Sequence, residues 1–82
     1  MGDLKKQDVH GFKVYFDKNA QDGVNYLDHD LDYEEVKVFF RNAKFHGETK
    51  FEDDRDRDYT LSYDRSKGTY TVVKRKKPGG WF

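Results

Sequence analysis

The stretch LDYEEVKVFFRNAKFHG, Leu31 to Gly47, constrains the fold most, because it marks both ends of an amphipathic helix and its buried face. Asp32 can cap the first turn. Glu35, three residues on, can reach back to the Asp32 amide and complete a capping box. Leu31 and Val36 occupy the two positions of a hydrophobic staple. Val36, Phe39, Phe40 and Ala43 recur at the i, i+3, i+4, i+7 spacing of one buried face. Gly47 follows the last turn, and Lys44 and His46 lie near the negative end of the helix dipole. The spacing predicts a helix over about 33–46, with Lys37, Arg41 and Lys44 on its exposed side.

Such a helix needs an apolar surface to cover. Phe12-Lys-Val-Tyr-Phe16 alternates, which predicts a half-buried strand with Phe12, Val14 and Phe16 on one side. Thr49 to Glu52 reads as a short strand around Phe51. Tyr59 to Arg75 reads as a hairpin. Tyr59, Leu61 and Tyr63 share one face, Tyr70 and Val72 share a face on the return strand, and Asp64 to Gly68 supplies the turn. Val24 to Leu27 fits either a short strand or a helical turn. Residues 1–8 are polar and expected to fray, and residues 76–82, with Pro78 and two glycines, are expected to end the strand and stay flexible. The expectation is a single α+β domain, 1–82, with one main helix on a three- or four-stranded, mainly antiparallel sheet.

Only 34% of the residues are apolar and 39% are charged, a polarity that approaches the disordered range. Aromatic residues offset it. Seven Phe, six Tyr and one Trp make up half of the apolar set, and each ring can bury a large area. A folded chain of this length is expected to have a stability of roughly 3–8 kcal/mol. The absence of Cys excludes disulfides, thiolate zinc sites and thiol nucleophiles. No apolar run approaches a membrane span and no signal-peptide pattern is evident, so a soluble, cytoplasmic protein without a membrane partner is expected.

Chemistry-bearing groups are sparse. His10, His29 and His46 are scattered. Asp28, His29, Asp30 and Asp32 read as a solvated acidic approach to the helix. The run Glu52 to Asp58 has no apolar residue and reads as an exposed loop or the wet tip of a hairpin; its Asp53, Asp54, Asp56 and Asp58 lack the glycine and terminal Glu of a calcium loop and are interrupted by Arg55 and Arg57. No metal, cofactor or catalytic set is therefore expected. The charge is uneven instead. Residues 1–54 carry eight Lys/Arg and thirteen Asp/Glu, net −5, and residues 55–82 carry eight and three, net +5. Either the two halves neutralise each other, or the C-terminal half presents a basic face. On the second reading, Arg57, Arg65, Lys67, Lys74 and Arg75 are the candidate binding residues, and the chain is a small non-enzymatic domain for an acidic macromolecule, protein or nucleic acid. Tyr59, Tyr63, Tyr70 and Trp81 lie among the basic residues, a mixture suited to single-stranded nucleic acid.

The segment Asn25 to Phe40, NYLDHDLDYEEVKVFF, resembles the BrnT family of toxin ribonucleases. Asn25, His29, Leu31, Tyr33, Glu34, Glu35, Phe39 and Phe40 match in register, the strand ending Phe16-Asp17 is similar to the family's opening strand, and Arg57 and Leu61 fall where its post-helix strand carries an Arg and an aliphatic. Asp30 stands where the family usually has Gly. The resemblance spans roughly residues 12–73 and implies a RelE-like fold and, as an alternative function, a ribonuclease toxin of a toxin–antitoxin pair. The hairpin Tyr63 to Val73 is similar to the last hairpin of the immunoglobulin-binding domain of protein G, which implies a helix over an antiparallel sheet.

Overall fold

The computed structural model describes residues 4–75. Strands β1 (Lys5–Val9) and β2 (Phe12–Phe16) are followed by a 3₁₀ turn (Lys18–Ala20), helix α1 (Gln21–Asn25), a π-helical turn (Tyr26–Asp30) and helix α2 (Tyr33–His46). Strands β3 (Glu48–Glu52), β4 (Asp58–Asp64) and β5 (Thr69–Arg75) complete one sheet in the order β1-β2-β5-β4-β3. All neighbours are antiparallel except β2 and β5, which run parallel with Val14 opposite Tyr70 and Phe16 opposite Val72.

Helix α2 forms as its sequence requires. Asp32 Oδ1 accepts the Glu35 amide and Glu35 Oε1 accepts the Asp32 amide, each at 3.0 Å. The Gly47 amide donates to the Ala43 carbonyl at 2.7 Å and closes the last turn. Val36, Phe40 and Ala43 are buried, and Phe39 packs half-buried beside Phe51. They meet the inward row of the sheet: Val14 and Phe16 from β2, Val72 and Tyr70 from β5, Tyr59 and Leu61 from β4. The alternation in β2 is the expected one, with Lys13 exposed and Tyr15 half-buried on the other side. The α+β class is as expected.

The finer expectation, one helix on three or four mainly antiparallel strands, is corrected in three ways. First, residues 5–8 belong to β1, a fifth strand. Lys5 to Val9 pairs with β2 across a two-residue turn, His10-Gly11, whose positive φ values (52° and 92°) suit the twist of a tight hairpin. The strand is hidden in the sequence because an edge strand needs little apolar surface: only Val9 is buried. His10 Nε2 donates to the Leu31 carbonyl at 2.9 Å, and Gln7 donates to Asp28 at 3.0 Å, so β1 is held by the segment before α2. Second, the sheet is mixed, because β2 and β5 meet in its middle after 50 or so intervening residues, a pairing no local pattern encodes. Third, there is a second helix, α1: of the two readings of Val24 to Leu27, the helical one holds. Val24 and Leu27 are buried there, and Gly23 lies against the Tyr59 ring so closely that a Cβ would stand 2.7 Å from its carbons. The expected flexibility of 76–82 concerns residues outside those described.

Candidate functional site

The helices cover one face of the sheet, and along one flank α2 and the β4–β5 hairpin leave an open groove of about 660 Å³. Phe12 and Tyr70 lie at its base, Tyr33, Lys37, Arg41, Lys44 and Phe45 come from α2, and Tyr63 and Arg65 come from the hairpin. The helix residues follow from spacing. Positions 33, 37, 41 and 44 are four, four and three residues apart, which aligns them in one stripe beside the buried Val36–Phe40–Ala43 face. Arg65 follows from the turn. Asp64 Oδ1 accepts the Ser66 amide (3.0 Å) and hydroxyl (2.7 Å), and the Gly68 amide donates to the Asp64 carbonyl (2.7 Å), which folds the loop just after β4 and holds Arg65 at the groove.

The base of the groove is a set of packed rings. Phe12 stacks on Phe40 with centroids 4.2 Å apart and planes 6° from parallel, and Tyr33 continues the series at 6.4 Å and 11°. Tyr70 meets Phe40 edge-on at 4.6 Å and lies 4.9 Å from Tyr63 with the two rings tilted by 47°. Burial raises the Tyr70 pKa, with a smaller contribution from Tyr63. Tyr33 is half-exposed and Phe45 is 73% exposed, so rings also reach the rim. Lys37 Nζ lies 5.7 Å from the Tyr33 centroid and 2.8 Å from Glu34 Oε1. Arg41, Lys44 and Arg65 have no acidic partner within salt-bridge distance among the described residues. The nine lining residues carry four cations, no carboxylate and no histidine.

The five residues singled out in the sequence do not converge. Arg65 joins the groove, and Lys67 is exposed in the hairpin turn next to it. Lys74 and Arg75 are consecutive on β5 and therefore point to opposite faces: Lys74 is opposite Tyr59 and exposed, Arg75 opposite Asp58. Arg75 donates to the Tyr59 carbonyl from Nε and Nη2, both at 3.3 Å, and its Nη2 is 4.0 Å from Asp58 Oδ1.

Arg57 is committed further still. Its Nε donates to Asp53 Oδ2 at 2.7 Å and its Nη1 to Asp22 Oδ2 at 2.8 Å. Asp53, expected in an exposed loop, is buried, with 1% of its side chain accessible. It also accepts the Arg55 amide (2.9 Å), the Arg57 amide (3.0 Å) and the Tyr59 hydroxyl (3.3 Å). Burial pushes the Asp53 pKa up, but the hydrogen bonds from the Arg57 and Arg55 amides and the Arg57 guanidinium outweigh it and hold the carboxyl below its ordinary value. The pair staples the β3–β4 loop to α1.

Sequence reasoning missed Lys37, Arg41 and Lys44 as site residues. Their spacing was visible, but three cations on the outer side of a helix read equally as a solvated face. Only the fold brings Arg65 and Tyr63 opposite them. Among the described residues no helix is long and apolar enough to cross a membrane, and no group of three or more His, Cys, Asp or Glu is placed to hold a metal ion. No family model, curated protein or solved structure matches the chain.

Proposed function

We propose that this chain is a small non-enzymatic binding domain for an acidic macromolecule, and that the groove between α2 and the β4–β5 hairpin is its contact surface. One observation carries the reading: four cations from two elements surround an aromatic base, and of these only Lys37 is paired, with Glu34, whereas Arg41, Lys44 and Arg65 have no acidic partner within salt-bridge distance among the described residues. Like charges held together cost self-repulsion, which an anionic ligand relieves. The lining set also lacks a histidine or carboxylate for proton transfer, which favours binding over catalysis. The test is a titration with an acidic polymer at increasing salt. For a single-stranded polyanion, four phosphate contacts give a log–log slope of about −3. Neutralising Arg41 and Lys44 together should weaken binding and flatten the slope without unfolding the chain. An unchanged affinity in that variant would exclude the groove.

The resemblance to BrnT ribonucleases supports a second reading, in which the same groove cleaves RNA. Arg41, Lys44 and Arg65 offer charge for a phosphoryl transition state, and Tyr63 is one of three tyrosines that line the groove with them. Of the residues that carry the resemblance, Tyr33 lines the groove and Phe40 lies beneath it, whereas His29 is 70% exposed on the π-helical turn and Arg57 is bound to Asp53. Incubation of purified protein with RNA separates the readings: cleavage lost in Arg65→Ala supports the ribonuclease, and intact RNA that remains bound supports the binding domain.

A further inference from the structure

We infer that the occupant of the groove is a single strand of nucleic acid, its phosphates on the α2 cation row and an unpaired base against the Tyr33 and Tyr63 rings. The inference rests on the groove being the contact surface and names its ligand. Lys37, Arg41 and Lys44 are laid out as a row. At about 1.5 Å of rise per residue they spread positive charge along roughly 10 Å of helix. A row matches an anion whose charge repeats along a line, and the groove beside the row is open to solvent.

Rings are interleaved with that row. The parallel series Phe40–Phe12–Tyr33 runs from buried Phe40 through partly buried Phe12 to half-exposed Tyr33, the most exposed member of the series. Lys37 Nζ approaches that ring from 5.7 Å, on a flexible side chain that a base can displace or share. Tyr63 is half-buried across the groove, beside Arg65. Alternating rings and cations suit a strand in which flat bases alternate with phosphates. An acidic polypeptide would use the cations and leave the rings without a partner. A duplex would use the cations too, but its bases are stacked inside and cannot reach rings set back in a groove.

The test is fluorescence anisotropy at low salt with four probes: a mixed-sequence single strand, the same backbone with abasic sites throughout, the matched duplex, and polyglutamate. The intact single strand should bind at least about tenfold tighter than the abasic strand, as one stacked base implies. Tyr33→Leu should lose most of that difference, Tyr33→Phe should keep it, and neither should change binding of the abasic strand. Melting curves confirm that both variants are folded. If polyglutamate binds and the intact strand is no better than the abasic strand or the duplex, the inference fails while the binding domain stands. If none of the four binds at tens of micromolar, both fail.

Discussion

The two ends of the β4–β5 hairpin carry arginines in opposite circumstances. At the open end, Arg57 reaches Asp53 and Asp22, and Arg75 reaches the Tyr59 carbonyl and Asp58. At the turn, Arg65 faces Lys37, Arg41 and Lys44 across a groove in which only Lys37 has an acidic partner, Glu34, among the described residues. The same residue type is structural in one place and available in the other. The difference comes from what the fold puts opposite. Asp53 is in the loop entering β4 and Asp22 arrives on α1, 35 residues away from Arg57 in sequence, whereas the turn is met by the cationic stripe of α2. Counting charges along the chain therefore assigns a basic half but cannot say which of its members are free.

The largest expected effect probes what the two regions share, a common core. Phe40 stacks on Phe12 and meets Tyr70 under the groove, so Phe40→Ala should cost about 3–5 kcal/mol in denaturant unfolding. A loss under about 1 kcal/mol would mean that the ring does not support the groove base. At the structural end, Asp53→Ala strands Arg57 and the Tyr59 hydroxyl and should cost about 2–3 kcal/mol.

The same carboxylate gives a pH signature. Its folded pKa lies below the unfolded value, so its contribution is complete above about pH 4 and is lost as pH falls through the folded pKa. Wild type and Asp53→Asn should differ in melting temperature at neutral pH and converge in acid. A constant difference would show that the charge of Asp53 is not what stabilises the loop.

The smallest effect sharpens the contrast. Arg41→Ala and Lys44→Ala should each change stability by no more than about 0.5 kcal/mol, because neither has an ion-pair partner among the described residues. A larger loss would move these residues from the available to the structural class.

Helix α2 was legible in its bounds, its cap and its buried Val36, Phe40 and Ala43, because these signals are local and agree with one another; Phe39 and Lys37 are only half-buried where burial and exposure were expected. The β4–β5 hairpin was legible for the same reason, and the inward row of β2 by simple alternation. β1 was not, since His10-Gly11 is a less usual tight-turn pair than Asn-Gly and the strand buries one residue completely. The parallel β2–β5 pairing depends on where the helices return the chain, information spread over the whole sequence. Of the site, Arg65 was legible from its place in a basic hairpin. Lys37, Arg41 and Lys44 were read only as an exposed side. Asp53 was read as solvated because its neighbours are all charged, and only the arrival of Arg57, Tyr59 and two amides explains its burial.

The central claim is that the α2–hairpin groove, not the open end of the hairpin, meets the partner. Amide chemical shifts of the labelled protein, followed during titration with a single-stranded oligonucleotide at low salt, test it most directly. The account predicts shifts concentrated in residues 33–45 and 63–68, with Asp53, Arg57 and Arg75 nearly unmoved. Shifts centred on Arg57, Lys74 and Arg75, with the α2 stripe silent, would contradict it.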